Sequence, residues 1–246
     1  DGKNTINIST LASFVIAGAG QKVTKHGNYG ASTITGSSNV LEALGYEFKK
    51  DSQQLNRDLE KANICFLHAP HFHPALLSVG ALRRSLGLRT FFNLLGPLVN
   101  PAKPKFSVIG VYNLEIARIY QYLLQKDNRE FTIVHGLDGY DEISLTGDSK
   151  IITKNSEEIY TSQDLGYNTL DPQSIAAGET AYESAKIFKA ILEGNGTFEQ
   201  NAVVIANASI ALYHTKKFGK YEDCLHLAQE SLESGKALLS LNNLIN

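Results

Sequence analysis

Gln21-Lys22-Val23-Thr24-Lys25-His26-Gly27-Asn28-Tyr29-Gly30-Ala31-Ser32-Thr33-Ile34-Thr35-Gly36-Ser37-Ser38-Asn39 decides the fold class. Residues 21–26 read as a short strand, and 38–44 read as a helix closed by Gly45. Between them lies a loop with glycines at 27, 30 and 36 and hydroxyl side chains at 32, 33, 35, 37 and 38. A strand feeding a glycine- and hydroxyl-rich loop that opens a helix is the unit of open α/β sheets, whose ligands bind beyond the strand ends. Glycines let a backbone approach an anion closely, and Lys25 adds charge. The loop is not a Walker A, because no Gly-Lys-Ser/Thr ends it. Nor is Gly18-Ala19-Gly20 a dinucleotide fingerprint, because the third glycine is missing and a helix precedes it. The bland alternative is an ordinary long Gly/Ser loop.

Outward from this unit the alternation continues. Helix 8–18 precedes it. Helix 53–62 and strand 63–67 follow. Strand 106–111, helix 114–125 and strand 131–135 come next, then a hairpin pairing 150–154 with 157–161. Helices 180–192, 201–216 and 221–241 close the chain. The expectation is α/β with a mostly parallel central sheet flanked by helices. Residues 70–101 break the alternation. With Pro74, Pro97 and Pro101 as punctuation, they read as a helical excursion of short helices and turns. No internal repeat or long linker appears, so residues 1–246 read as one domain.

Composition sets bounds on function. The 246 residues carry 23 Lys+Arg and 25 Asp+Glu, a net charge of −2. That disfavours a nucleic-acid-coating surface, which needs a basic excess. Hydrophobic residues at 43% and charged residues at 20% are ordinary for a globular chain. No apolar run approaches the roughly 18 residues of a membrane span, and there is no signal peptide, so the expected location is cytoplasmic. Cys65 lies in the apolar run 64–67 and reads as a buried free thiol. The chain has no methionine and opens in a polar loop, from which we expect that its beginning is missing.

Four further clusters carry chemistry. Residues 1–10 put small polar side chains before a helix, whose unpaired N–H groups bind phosphate readily; simple capping by Asn7 or Ser9 is the alternative. His68, His71 and His73 invite a zinc reading, but Pro70 and Pro74 restrict the chain and no Cys or carboxylate lies nearby, so packing is favoured. Arg83, Arg84 and Arg89 could clamp a carboxylate or phosphate, or form a solvated helix face. Asp141 and Glu142, in the stretch His135–Glu142, suit Mg²⁺, with a polar turn as the alternative. Together they describe a site for a phosphorylated substrate carried with Mg²⁺.

In this order the motifs resemble the anthranilate phosphoribosyltransferase family over essentially the whole chain. The family pattern Gly-Thr-Gly-Gly-Asp ends at Asp1, Asn-Ile-Ser-Thr is Asn7–Thr10, and Lys-His-Gly-Asn is Lys25–Asn28. His-Pro-Ala matches His73–Ala75, and Arg-x-x-Leu-Gly-x-Arg-Thr runs from Arg83 or Arg84 to Thr90. The longer Asn-Leu-Leu-Gly-Pro-Leu-x-Asn-Pro is Asn93–Pro101, and Asp-Gly-x-Asp-Glu is Asp138–Glu142. The family often has Gly-Ser-Ala-Asp where this chain has Gly36-Ser37-Ser38-Asn39, which leaves the role of that acid open.

The resemblance implies transfer of a 5-phosphoribosyl group from phosphoribosyl pyrophosphate to the amine of anthranilate. It implies that Asp1, Gly2, Thr5, Asn7, Ile8, Ser9, Thr10, Lys25, His26, Gly27, Asn28, Tyr29, Gly30, Ala31, Ser32, Thr33 and Ser37 bind the donor. Arg83 and Asn28 would take anthranilate. Ser9 and Glu142 would hold one Mg²⁺, and Asp141 with Glu142 a second. No general base is assigned, though His26 is a candidate. The resemblance also implies a homodimer in the full-length protein, and a preceding helical domain against which residues 70–101 pack. Two alternatives stay open. A pyrimidine nucleoside phosphorylase of related fold would cleave nucleosides with phosphate, and the Asp141–Glu142 pair disfavours it. A non-catalytic nucleic-acid-binding relative is disfavoured by the charge, and salt-titrated DNA binding would test it.

Overall fold

A computed structural model describes residues 2–30, 36–74, 94–127 and 129–246. The first helix, α1 (Ile8–Gly18), is apolar nearly all round and is buried accordingly, with Ile8, Leu11, Phe14 and Val15 at 1% exposure or less. A helix without a polar face belongs in the interior. It is followed by β1 (Val23–Gly27), α2 (Ser37–Ala43), α3 (Ser52–Ala62), β2 (Ile64–His68) and the single turn α4 (Ala69–Phe72). Asp51 caps α3 by accepting from the N–H groups of Gln53 and Gln54. Asn63, left-handed at φ 56°, turns the chain directly into β2.

After a short 3₁₀ turn at Gly96–Leu98 come β3 (Phe106–Gly110), α5 (Leu114–Lys126) and β4 (Glu130–Gly136). The expected hairpin forms as β5 (Ser149–Thr153) and β6 (Glu157–Tyr160). Strands β1 and β2 pair in parallel, and so do β3 and β4. Strands β4, β5 and β6 pair antiparallel, so the four-stranded sheet β3-β4-β5-β6 is mixed rather than mostly parallel. The connections differ: β5 returns as β6 through the short turn 154–156 and no helix lies between β4 and β5, whereas β3 reaches the parallel β4 through a helix.

Period-two alternation then builds the layers. Ile133 and Ile152 face α5 in one apolar cluster, while Val134 and Ile151 face the larger cluster that holds α1. Helices therefore cover both faces of β4 and β5. Strand β2 divides its side chains likewise, with Ile64 and Phe66 toward α1, and Cys65 and Leu67 toward Leu55 of α3. Cys65 is buried and free, as its apolar setting suggested.

The remaining helices are α6 (Ala181–Leu192), α7 (Phe198–His214), α8 (Tyr221–Glu233) and α9 (Lys236–Ile245). Helix α7 opens with a capping box, in which Thr197 and Gln200 exchange side-chain-to-backbone bonds. Residues 221–241, read above as one helix, are two. The apolar spacing carries through the junction, but Gly235 takes φ 79° and redirects the chain. The break lets α8 and α9 both reach α1, where Ser231 donates to the Val15 carbonyl at 2.7 Å. A side chain at Gly18 would collide with this junction, so glycine is required for the close approach. Among the described residues no helix is long and apolar enough to cross a membrane.

Candidate active site

Four pieces of chain meet at one cavity of about 260 Å³: Gly36–Ser37 at the start of α2, and three others. The first is the segment entering α1. It is stitched to the far end of the chain before it becomes helical: Thr5 bridges Ala176, Ile6 N–H donates to Ile175 and Ala177 N–H donates to Asn4. The second is the end of β1, carrying Lys25 and His26. The third is the turn after β4, carrying Asp141 and Glu142.

The turn after β4 is built by backbone. Gly136 N–H donates to Tyr140, and Gly139 at φ 95° supplies the reversal that a side chain would resist. Asp138 accepts from Thr146 at 2.5 Å, closing the outer side of the loop. Gly110 ends β3 directly beneath the Asp141 carbonyl, where a side chain would not fit. Asn207 of α7 grips the main chain of Ile143, immediately after Glu142.

Glu142 Oε1 accepts from the Ser9 main-chain N–H at 2.8 Å. Ser9 is in the first turn of α1, whose N–H groups have no partner within the helix. Asn7 stands at the cap position but its side chain does not cap. An acid from 133 residues away fills the role that simple capping was expected to fill, and its charge suits that end of the helix. Lys25 Nζ donates to Ser9 Oγ at 2.9 Å. Burial raises the Glu142 pKa well above the usual carboxylate range, with the Asp141 charge adding to the effect; Ser9 and Lys25 oppose it only in part. Burial lowers the Lys25 pKa, while Glu142 and Asp141 pull the other way. A cation, two acids and a helix start thus face one another across the cavity.

His26 lines the same cavity. Its Nδ1 is 3.0 Å from the Gly96 carbonyl, and burial lowers its pKa to about 4, so the ring is neutral near pH 7. Next to it His68, His71 and His73 form an aromatic nest. His68 stacks on Phe48 with ring centres 4.3 Å apart and meets Tyr29 edge-on at 4.9 Å. His68 Nδ1 is 2.9 Å from Ser38 Oγ. His71 is edge-on to His68, and His73 to His26. Among the described residues no three His, Cys, Asp or Glu side chains cluster as a metal site, and these rings pack on one another.

Of the residues expected at the donor and metal sites, Thr5, Asn7, Ser9, Thr10, Lys25, His26, Ser37, Asp141 and Glu142 line the cavity. Ile8 turns its side chain into the core at 0% exposure, which leaves only its main chain near the site. Gly27, Asn28, Tyr29 and Gly30 do not line the cavity; Asn28 and Gly30 bond to the Ser37 and Asn39 side chains instead. Gly2 precedes the lining and is exposed. Asp1, Ala31, Ser32, Thr33 and the arginines Arg83, Arg84 and Arg89 lie outside the described residues. Lys3, Asn4, Ile6 and Gly36 also line the cavity and were not anticipated. Lys3 was legible only as a neighbour of Asp1, and Asn207 gave no signal beyond a polar residue in an apolar run. A wider hollow of about 520 Å³ lies over one face of α3, among Gln53, Asn56, Arg57, Glu60 and Lys61. It is open and gathers side chains of a single helix, so it offers no convergent chemistry.

Residues 1–238 match the family model described as glycosyl transferase family, a/b domain. The chain is 52% identical over 244 residues to the anthranilate phosphoribosyltransferase of Christiangramia forsetii, covering 99% of this chain and 73% of that one. It is 53% identical to the enzyme of the same name from Flavobacterium johnsoniae, covering 99% and 74%. Among solved structures, anthranilate phosphoribosyltransferase from Thermus thermophilus superimposes with a TM-score of 0.90 at 33% identity, covering 99% of this chain and 74% of that one. The enzyme from Saccharomyces cerevisiae, in complex with PRPP and Mg, also gives 0.90, at 28% identity with coverage of 99% and 70%. Another structure of the yeast enzyme holds 4-fluoroanthranilate. The fold, the ordered motifs and these relatives agree that the chain belongs to the anthranilate phosphoribosyltransferase family.

Proposed function

We propose that the cavity between the start of α1, the end of β1 and the Asp141–Glu142 turn binds phosphoribosyl pyrophosphate with Mg²⁺. The reaction of the family moves the 5-phosphoribosyl group to the amine of anthranilate, giving N-(5-phosphoribosyl)anthranilate and pyrophosphate, a step of tryptophan biosynthesis. The observation that carries the site reading is the linked set Lys25–Ser9–Glu142, which joins a cation, a helix start and an acid.

The donor set fits a divalent ion. Asp141 and Glu142 are adjacent carboxylates, burial and then the Asp141 charge raise the Glu142 pKa, and oxygen ligands few in number suit Mg²⁺ brought by substrate phosphates. In this reading Ser9 with Glu142 and Asp141 with Glu142 hold two ions. What bound Mg²⁺ supplies is neutralisation of charge on the departing pyrophosphate. Lys25 and the main-chain N–H groups entering α1 face the phosphate oxygens, with Thr5, Asn7, Thr10 and Ser37 beside them. The anthranilate amine is neutral and nucleophilic at pH 7, so positioning and fixed charge suffice and no general base is required. The neutral His26 ring lines the same cavity, and Arg83 and Asn28 take the acceptor in the same proposal. Residues 1–246 then form one phosphoribosyltransferase domain, with 70–101 meeting an N-terminal helical domain in a cytoplasmic homodimer.

The test is product formation by the full-length protein from anthranilate and phosphoribosyl pyrophosphate across a Mg²⁺ titration. The double variant Asp141→Asn/Glu142→Gln is expected to lose about a hundredfold or more in turnover while its melting temperature holds. Wild-type turnover by that variant at limiting Mg²⁺ would overturn the metal assignment.

A further inference from the structure

One wall of the cavity, Gly36–Ser37, is the N-terminal edge of α2, with Gly36 at the cap position. It is held by bonds to the residues that follow β1. The Asn28 carbonyl accepts from Ser38 N–H at 3.2 Å and from Ser37 Oγ at 3.4 Å. Asn39, at the third position of α2, ties the two described ends of the loop together. Its Oδ1 accepts from Gly30 N–H at 3.0 Å and from Gly36 N–H at 3.0 Å. Two donors converge on one atom, so that atom must be the amide oxygen rather than the nitrogen. Gly36 is so close to the Gly30 nitrogen that it admits no side chain, which shows how tightly the two ends are drawn together.

We propose that Asn39 is a positioning residue that keeps the Gly36–Ser37 wall in the geometry that receives phosphoribosyl pyrophosphate. The proposal rests on the donor-site reading above. Asn39 does not itself line the cavity; it acts through Gly36, which does. Only acceptor capacity is needed, because both partners are N–H groups. A neutral amide oxygen therefore does the work here that a carboxylate would do at the same place, without adding negative charge beside a polyanionic substrate.

The test compares Asn39→Leu and Asn39→Asp in the full-length enzyme, with steady-state kinetics, calorimetric binding of phosphoribosyl pyrophosphate and melting curves. Asn39→Leu removes the acceptor at similar volume. It is expected to raise KM for phosphoribosyl pyrophosphate about tenfold while KM for anthranilate changes little. Asn39→Asp keeps the acceptor and is expected to stay within about threefold of the wild type. A merely structural role would lower the melting temperature and leave the two KM values in their wild-type ratio, and that result overturns the proposal. Equal impairment of Asn39→Asp and Asn39→Leu overturns it too. Should Asn39→Leu melt below the assay temperature, Asn39→Asp still decides, by retaining or losing donor affinity. Failure of the wild type to bind phosphoribosyl pyrophosphate would instead refute the donor-site reading on which the proposal stands.

Discussion

Asn207 holds Ile143 by both of its main-chain groups. Its Oδ1 accepts from the Ile143 N–H at 3.1 Å, and its Nδ2 donates to the Ile143 carbonyl at 2.7 Å. The same Nδ2 is 2.8 Å from the Val203 carbonyl one turn back in α7, so the amide is fixed at its own end as well. Ile143 is the residue after Glu142 and is buried. A helix near the end of the chain thereby sets the backbone of the acidic turn.

Asn207→Ala leaves both Ile143 groups without a partner. Stability is expected to fall by about 1–3 kcal/mol, the usual penalty for stranding polar groups away from water. The freed turn should also hold Mg²⁺ less well, raising the half-saturating concentration about tenfold, as when a supporting partner of a ligand is removed. Denaturant melts and a Mg²⁺ titration of turnover measure the two effects separately. A loss of stability with unchanged Mg²⁺ dependence would confine Asn207 to the scaffold.

Lys25 is the cation nearest Ser9, at 2.9 Å from its hydroxyl. Lys25→Ala is expected to weaken phosphoribosyl pyrophosphate binding by about 1.5–3 kcal/mol, the worth of a charge-assisted hydrogen bond. Anthranilate binding should change far less, because its recognition does not use this charge. Calorimetry with each ligand reads the difference. Equal losses for both, or none for either, would remove Lys25 from the donor site.

His68 predicts a pH dependence of stability. It is 3% exposed, and burial lowers its pKa to about 4, helped by the neighbouring His71 and His26. The unfolded chain takes up a proton near the ordinary value of 6.5, whereas the folded chain resists it. The contribution of His68 is therefore complete above pH 6.5 and is lost as pH falls toward 4. At pH 5 the loss amounts to about 2 kcal/mol. His68→Gln keeps a polar partner for Ser38 but does not titrate, so its melting temperature should fall less steeply between pH 7 and 5. Parallel curves for variant and wild type would contradict the assignment.

The sequence by itself determined the element order, because each element is written in local periodicity. Ile8–Gly18 is apolar over most of its surface and helical. The stretch 64–68 is a short apolar run after a capped amphipathic helix. Asn155 and Ser156 separate two strand-like runs at hairpin distance, and β5 and β6 form there. The donor motifs were legible for the same reason, since the peptide Lys25–Asn28 and the pair Asp141–Glu142 are each contiguous. Local pattern failed at residues 221–241, where apolar spacing continued unbroken across Gly235 and only the left-handed backbone there separated α8 from α9. Tertiary structure alone decided what those pieces do together. Ser9 meets Glu142 across 133 residues, and Asn207 meets Ile143 across 64. Such contacts follow from which faces the two apolar clusters bury, and no spacing along the chain encodes them. The mixed sheet has the same origin: strand direction depends on whether a turn or a helix joins two strands in space, whereas the period-two pattern of each strand is identical either way.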